Sequence, residues 1–328
     1  MKGWCLILSL VVFSACIDRE YEQDSSLRLK KISENEIARL SDLGVWDVWG
    51  ISQQNGYFLF NSEDGMKVVP MEALGERVDP GISRSRSISE PERGFIAYDF
   101  IKEKLLEFVI ERNGEVVPRI LCLPREKLHL AAVRGKDFII STGIYEEGRY
   151  FYYSMSTGEA KYYLSYPPCP NFPNMEEKTK AILYASSVLR LRPDGRAFVC
   201  GDMYSGNIEF CRIEDGNIIQ IKRLCFHLPE VKIRGNESII YKRSNLMGFS
   251  DIAASQYRVY ALHSGKAYLR NNADFVTCDE LMEFDWEGNL LNRYNLKIPV
   301  TSIFYNEMEH TLYAVRNKAD IPLFKIEL

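Results

Sequence analysis

The sequence has few of the residues and motifs on which enzymes and metal sites commonly depend. Only four of its 328 residues are histidine, and none of them lies in an HExxH metalloprotease motif. The chain also lacks a GxSxG nucleophile elbow and a Walker-type phosphate loop. The acidic segment at residues 62–65 does not have the ligand spacing of a calcium loop. We therefore expect no metal and no cofactor, and no linear motif identifies a catalytic residue.

A surplus of basic residues and long helical periodicity are also missing. The chain has 41 Lys and Arg against 45 Asp and Glu, a formal charge of −4, so nucleic-acid binding has no electrostatic support. Its 46% hydrophobic, 12% aromatic and 26% charged residues are typical of a globular protein. That composition excludes a disordered chain, a collagen and a multi-span membrane protein.

The N-terminus has the pattern of a secretory signal. Lys2 precedes a short apolar run, which is followed by Ser14, Ala15 and Cys16. The run is too short to cross a bilayer core of roughly 30 Å. The small residues before Cys16 resemble a bacterial lipobox, although Phe13 stands where Leu is usual. We predict a signal peptide at residues 1–15 and lipid attachment at Cys16; ordinary cleavage that leaves Cys16 an unmodified thiol is the alternative.

Residues 16–26 are polar, rich in acidic residues and without a periodic apolar face. This composition predicts a flexible tether between the lipid and the folded domain. Acidic residues directly after the lipid cysteine resemble the surface-export signals of some Bacteroidetes lipoproteins. The expected location is the bacterial cell envelope, lipid-anchored to the membrane, on either side of the outer membrane.

The remaining cysteines fit neither a CxxC motif nor a zinc pattern. They are Cys122, Cys169, Cys200, Cys211, Cys225 and Cys278. A hairpin centred on residues 205–206 would place Cys200 opposite Cys211 at a hydrogen-bonded pair. The Cα separation there, about 5.5 Å, permits a disulfide without being its usual arrangement. A bridge and two buried thiols therefore both remain open.

Short runs rich in Tyr, Phe, Val and Ile, separated by tight turns, fill the chain and predict β-strands. Four hairpins turn at Gly114, Gly158, Gly216 and Gly288, because glycine adopts the positive φ that such turns need. These glycines are 44, 58 and 72 residues apart. Removing the stretches at residues 167–185 and 225–250, which lack the strand rhythm, leaves a period near that of a four-stranded propeller blade.

Six such blades fit the chain, so the predicted fold is all-β: a six-bladed β-propeller at residues 27–328. The blades lie near residues 44–80, 81–124, 127–166, 185–224, 250–297 and 299–328. The last contains only three strands, at residues 301–305, 311–315 and 322–328, and would leave an unpaired edge. We predict that residues 27–32 add its fourth strand and close the ring. Residues 33–36 and 175–186 are candidates for short helices.

The signal that ends in Cys16, strands such as residues 95–100 and the four hairpins resemble the TolB-like six-bladed propeller lipoproteins of Bacteroidetes. The resemblance covers residues 27–328 and departs from TolB in having one Pro-Asp-Gly turn, at Pro193. It implies a propeller fold and an envelope location. It implies no activity, since the family is largely without a known activity.

In a propeller blade with strands A to D, the B–C turns and the D–A connections lie on one face of the disc. Both long insertions are D–A connections, and residues 270–278 form a long B–C loop. We call this the insertion face, and the other the opposite face. Because loops on a rigid scaffold concentrate binding residues, the candidate ligand-binding side chains are Arg149, His227, Tyr241, Arg243, Asn272 and Asp274.

Two functions fit this pattern. The first is a non-catalytic binding or scaffold module that recognises a glycan, a peptide or a partner protein through the insertion face. The alternative is an envelope hydrolase or lyase, with carboxylates and a histidine from separate blades at the channel mouth. We expect His129, His263 and His310 to have packing or channel roles.

Overall fold

A computed structural model describes residues 29–72, 85–89, 94–99, 104–111, 115–121, 128–234, 238–269, 275–316 and 322–328. The described residues contain 26 β-strands and one short helix, as the alternating sequence pattern predicts. Six antiparallel sheets follow one another along the chain, and a two-stranded sheet lies between the fourth and the fifth. The predicted all-β, six-bladed propeller is therefore confirmed.

The strands are assigned to blades in chain order. Two strands precede the first blade: β1 (Lys30–Lys31) and β2 (Ser33–Arg39). Blade one contains β3 (Val48–Gln54), β4 (Tyr57–Ser62) and β5 (Gly65–Pro70). Blade two contains β6 (Ser85–Ser89), β7 (Gly94–Asp99), β8 (Lys104–Ile110) and β9 (Val116–Leu121). Blade three contains β10 (His129–Arg134), β11 (Phe138–Gly143), β12 (Tyr150–Ser154) and β13 (Ala160–Tyr163), and is followed by the helix α1 (Glu177–Leu183).

Blade four contains β14 (Ser187–Leu191), β15 (Ala197–Asp202), β16 (Asn207–Glu214) and β17 (Asn217–Cys225). A hairpin of β18 (Val231–Arg234) and β19 (Ser238–Tyr241) follows. Blade five contains β20 (Phe249–Ala254), β21 (Val259–His263), β22 (Cys278–Phe284) and β23 (Leu290–Val300). Blade six contains β24 (Ser302–Asn306), β25 (Thr311–Val315) and β26 (Pro322–Glu327). The four predicted hairpins are present, and Gly158, Gly216 and Gly288 have φ of 73°, 77° and 76°; Gly114 lies outside the described residues.

The two ends of the chain close the ring, but a different segment does so than the sequence predicts. The fourth strand of blade six is β2, which pairs antiparallel with β26 from Ser33 opposite Glu327 to Arg39 opposite Pro322. The assignment to residues 27–32 is wrong by one strand, and residues 33–36 form no helix. Lys30 and Lys31 instead pair in parallel with β23 of blade five. The two N-terminal strands, β1 and β2, therefore cover sheet edges that would otherwise be open.

The two insertions fold together on the insertion face. Helix α1, shorter than the predicted residues 175–186, packs beside the β18–β19 hairpin. The two share a small hydrophobic core of their own, formed by Tyr166, Cys169, Met175, Ala181, Leu183, Tyr184 and Val231. We call this unit, residues 165–186 and 226–248, the cap. A separate core gives the cap a fixed shape, because its apolar side chains are buried against each other as well as against the blades.

Candidate functional site

The first strands of the blades surround a central channel. A cavity of about 1050 Å³ runs along it, lined by residues of β3, β10, β14, β20 and β24. Trp49, Met203 and Tyr204 line its insertion-face end, and Lys136 and Met308 its other end. A cavity of this size at the axis of a rigid scaffold is large enough for a small ligand.

Polar contacts tie the blades together around the channel. Thr142 and Ser187 hydroxyls lie 2.9 Å apart between blades three and four. Between blades four and five, Arg190 donates to Asp251 Oδ1 at 2.7 Å. Ser302 of blade six donates to the same carboxylate, and its hydroxyl accepts from the Ile51 N–H at 3.0 Å. This series of contacts spans four of the six blade interfaces.

The charged side chains along the cavity are largely paired. Arg190 pairs with Asp251 and neutralises its charge. Burial nevertheless raises the pKa of Asp251. At the opposite-face end, Arg192 pairs with Asp194 at 2.7 Å, and Arg134 pairs with Glu107. The remaining lining groups are mainly amides, hydroxyls and apolar side chains. The cavity therefore suits an uncharged polar ligand better than an ion.

Four aromatic rings cluster where the cap meets the channel mouth. Tyr241, the last residue of β19, stacks on Tyr204 with ring centroids 4.4 Å apart. Tyr268 contacts Tyr204 edge to face at 5.7 Å and also contacts Phe275 at 5.2 Å. The Tyr241 hydroxyl donates to the Leu183 carbonyl at 2.7 Å, which joins the two insertions. All four rings are half-buried, so the cluster connects the cap to the channel mouth and remains partly exposed to solvent.

Two exposed tryptophans stand on the same face, between blades six and one. Trp46 is 48% exposed and Trp49 is 43% exposed, although Val45 and Val48 beside them are fully buried. The Trp49 indole N–H donates to Glu63 at 3.1 Å. Neither tryptophan is among the binding residues predicted from the sequence. The alternation Val-Trp-Asp-Val-Trp at residues 45–49, with two small apolar anchors and two large rings, is the signal that could have found them.

Arg149, a predicted ligand-binding residue, is buried between blades three and four. Its side chain is only 2% exposed and pairs with Asp202 at 2.8 Å and Glu209 at 3.1 Å. Arg223 neutralises the other oxygen of Glu209 at 2.6 Å. Burial opposes ionisation of Glu209, but the two guanidinium groups outweigh it and lower its pKa. Arg149 therefore joins two blades by ion pairs, and its side chain is not presented to solvent.

His227 lies where the cap leaves blade four. Its ring packs against that of His263, with centroids 5.8 Å apart, and neither ring nitrogen has a hydrogen-bond partner of normal geometry. Burial, reinforced by His263, lowers the pKa of His227 to about 4. The imidazole is consequently neutral at pH 7 and acts as a packing group at the base of the cap.

The other predicted site residues are less closely grouped. Arg243 is exposed in the turn after β19, while Asn272 and Asp274 lie outside the described residues. Tyr241, His227 and Arg243 therefore belong to the cap, and Arg149 lies within the blades beneath it. Their role in ligand binding stays a prediction.

The histidines predicted to pack are found at different depths. His129 is buried in β10, where its Nδ1 lies 2.8 Å from the Ser141 hydroxyl. His263 is buried at the end of β21. His310 lies in the A–B turn of blade six with a positive φ of 50°.

Cys200 and Cys211 are free, buried thiols. Cys200 lies opposite Glu209, and Cys211 opposite Phe198, so the predicted direct pairing is wrong by two residues. The hairpin is centred between residues 204 and 205, not on residues 205–206, and this difference shifts the register of the two strands. Burial raises the pKa of the Cys200 thiol to about 11.

Within the described ranges, no three His, Cys, Asp or Glu side chains come together as a metal-binding group. In that part of the chain, no helix has both the length and the apolar character to cross a bilayer. The enzymatic alternative stays a prediction from the sequence. The buried carboxylates Asp202, Glu209 and Asp251 are each held by an arginine.

Six blade sheets around a channel, closed by both chain ends, define the chain as a six-bladed β-propeller. Solved propeller structures align with the chain, and one of them has a TM-score above 0.5. The WD40 domain of Neurospora crassa Pan2 aligns with 88% of this chain and 81% of its own, with a TM-score of 0.51 and 11% identity. The β-propeller domain of Myceliophteria thermophila Cps50 (Swd1) aligns over 89% and 99%, with a TM-score of 0.48 and 11% identity. The RRP9 WD40 repeats align over 85% and 80%, with a TM-score of 0.48 and 8% identity.

No protein-family model matches the sequence, and no curated protein matches it. At this level of identity the similarity to solved structures concerns the fold alone.

Proposed function

We propose that the protein is a lipid-anchored binding module of the bacterial cell envelope, related to the TolB-like propeller lipoproteins of Bacteroidetes. Cys16 carries the lipid, residues 16–26 form the tether, and the propeller presents its insertion face to a glycan, a peptide or a partner protein. The support for the anchor is the signal that ends in Ser14, Ala15 and Cys16. The support for a binding role is the construction of the insertion face.

One observation carries this proposal: the face that bears the insertions exposes several large apolar side chains, two of which are tryptophans. Scattered exposed apolar residues need no explanation, whereas a concentration on one face is typical of a binding surface. Among the residues that the structure describes, thirteen large hydrophobic side chains are exposed, and six of them lie on this face: Trp46, Trp49, Leu128, Ile240, Leu246 and Leu269. The cap adds a fixed shape and the half-buried aromatic cluster. A rigid surface of this kind binds without a large ordering cost.

Anchoring is tested by replacing the lipid-bearing cysteine. The wild-type protein should be found in the membrane fraction and enter the detergent phase of a Triton X-114 separation. Cys16→Ser should move it to the aqueous phase, because two or more acyl chains are needed for stable anchoring and none can then be attached. Recovery of Cys16→Ser in the detergent phase contradicts the anchor.

Binding is tested by capture of envelope glycans and proteins on the purified full chain. The double variant Tyr241→Ala, Arg243→Ala changes the cap. Tyr257→Ala is its matched control, because Tyr257 is 73% exposed in the A–B turn of blade five, on the opposite face. We expect the cap variant alone to lose the captured ligand. Equal capture by both variants excludes the cap from binding, and loss only in Tyr257→Ala assigns binding to the opposite face.

A further inference from the structure

The side chain of Trp49, at the insertion-face end of β3, indicates which class of ligand the insertion face binds. Val48 pairs with Ser62 and Gly50 pairs with Asn61, so Trp49 is the extra residue of a β-bulge. A bulge redirects one side chain away from the regular alternation. The redirected indole of Trp49 lines the central cavity and is 43% exposed.

The same bulge recurs at the start of other first strands. In β10 the extra residue is Leu130, and in β20 it is Ser250, and both also line the cavity. The fold therefore places one bulged side chain per such blade at the channel mouth and accepts a leucine or a serine there. Because neither position demands a large ring, packing of the blade does not account for a tryptophan at position 49.

The backbone and a carboxylate hold this tryptophan in place. Asp47, between the two tryptophans, has a positive φ of 46°, a conformation that Asp tolerates better than most residues. The Asp47 carbonyl accepts the Glu63 N–H at 3.2 Å, and the Glu63 carboxylate accepts the Trp49 indole N–H at 3.1 Å. The ring is thus oriented before any ligand arrives, and its apolar surface remains partly uncovered.

The groups around the ring determine which ligand fits. Gly50 and Asn61 line the cavity close to Trp49, and Ser250 lines it from blade five. Within the same lining, Arg190 and Asp251 form an ion pair that has no net charge. The Asn61 amide, the Ser250 hydroxyl and the Glu63 carboxylate can all form hydrogen bonds with hydroxyl groups. Together with the flat ring of Trp49, they suit a ligand that has one flat apolar side and many hydroxyl groups. A pyranose ring has both properties, since its axial C–H groups form an apolar face and its hydroxyls lie around the rim.

We propose that Trp46, Trp49 and Glu63 form a carbohydrate subsite at the insertion-face mouth of the channel, which stacks an uncharged sugar ring on Trp49. Trp46, which is 48% exposed and lies three residues before Trp49, contacts the adjoining part of the glycan. The inference rests on the proposed function and names its ligand class. It makes the channel mouth, beside the cap, the place where that ligand is bound.

The test uses the full chain in detergent micelles and soluble hexasaccharides of glucose, mannose and xylose as neutral probes. Oligogalacturonate of the same length is the charged probe. A high-molecular-weight glucan and its hexasaccharide distinguish a polysaccharide ligand from a free oligosaccharide. Titrations follow tryptophan fluorescence and are repeated by calorimetry. Thermal unfolding establishes that each variant is folded.

At least one neutral probe should bind to the wild type. Trp49→Ala should weaken the binding of that probe by about tenfold or more, because the variant loses the stacking contact and the apolar area that it buries. Trp49→Phe should retain part of the affinity, because it keeps an aromatic face. Glu63→Gln should weaken binding less than Trp49→Ala, since the amide can still accept the indole N–H. Tyr257→Ala, an exposed aromatic on the opposite face, should bind as the wild type does.

The subsite is refuted if no neutral probe binds at millimolar concentration, if only oligogalacturonate binds, or if folded Trp46→Ala and Trp49→Ala variants bind unchanged. The proposed function fails separately. If the cap variant loses a captured protein or peptide while no sugar binds, the insertion face is a binding surface and the sugar subsite is wrong. If neither experiment detects binding, both are wrong.

Discussion

Replacement of Arg149 by methionine should destabilise the propeller without any ligand present. Arg149 is the closest cation to the Asp202 carboxylate, at 2.8 Å, and it shares Glu209 with Arg223. The three side chains Arg149, Asp202 and Glu209 are almost wholly buried. Methionine fills much of the same volume but leaves Asp202 with only its hydrogen bonds from Ser205 and Asn207.

The expected magnitude follows from this burial. Removal of one partner from a buried ion pair costs about 3–5 kcal/mol, because the other charge remains out of contact with water. The same substitution at Arg212 is the matched control, since its pair with Glu214 is about half exposed on both sides. An exposed pair contributes about 0–1 kcal/mol, so Arg212→Met should leave the free energy of unfolding almost unchanged.

The loss should also depend on pH. Burial already raises the pKa of Asp202, and without Arg149 its folded-state pKa rises further above the unfolded value. A carboxyl with a raised folded-state pKa stabilises the protein at low pH, and this contribution is lost as the pH rises through that pKa. Arg149→Met should therefore be more destabilised at pH 8 than at pH 5.

Urea unfolding followed by circular dichroism measures these differences. The double variant Arg149→Met, Asp202→Asn should recover part of the lost stability, because the uncompensated charge is removed with its partner. A loss below about 1 kcal/mol for Arg149→Met would show that the ion pairs do not hold blades three and four together. Unchanged stability with abolished ligand binding would instead restore Arg149 to the binding site.

Three further predictions concern the cap and the buried thiols. The wild type should lose stability as the pH falls from about 6.5 to about 4, by up to about 3 kcal/mol, because the unfolded chain binds a proton at His227 that the folded chain resists. His227→Phe should flatten this part of the urea-midpoint profile; an unaltered slope assigns the effect elsewhere. Gly248→Ala should lower the free energy of unfolding by about 3 kcal/mol or more, since the new Cβ would lie 1.7 Å from the Ser205 carbonyl oxygen. Thermal unfolding measures this loss, and a stability near that of the wild type would contradict the close approach. Cys200 and Cys211 should react with iodoacetamide only after unfolding, because both thiols are buried. Labelling of either cysteine in the native protein would contradict their burial. A protein mass lower by two hydrogens would indicate a disulfide and would contradict two free thiols.

The repeat and the faces could be predicted because strand alternation and turn glycines are local signals. The hairpins at Gly158, Gly216 and Gly288 and the placement of both insertions on one face required only the period of the blades and the antiparallel order of their strands. The cap could not be predicted, because its core depends on contacts between two insertions about 60 residues apart in the chain. Local patterns carry no information on such contacts.

Two wrong predictions, a helix at residues 33–36 and a solvent-facing Arg149, have the same physical cause: contacts with residues distant in the chain. Residues 33–36 have the Ser-x-x-Glu pattern of a helix start, yet Glu34 instead accepts the backbone N–H groups of Lys297 and Ile298. The open edge of β26 pairs with this segment and overrides the local preference. Arg149 follows a polar turn, and the sequence predicts solvated side chains in such a turn. The carboxylates with which it forms ion pairs, Asp202 and Glu209, come from another blade.

The direction of β2 has a consequence for how the molecule would sit on a bilayer. Ser33 lies at the opposite-face end of blade six and Arg39 at the insertion-face end, so the polypeptide comes into the disc from the opposite-face side. With an acyl group on Cys16, the thirteen peptide units to Leu29 reach at most about 45 Å. The insertion face would then look outward from the lipid, where large polymers could approach it without meeting the headgroups. A proximity label placed on Tyr257 should accordingly mark lipid, and one on Arg243 should mark the aqueous surroundings.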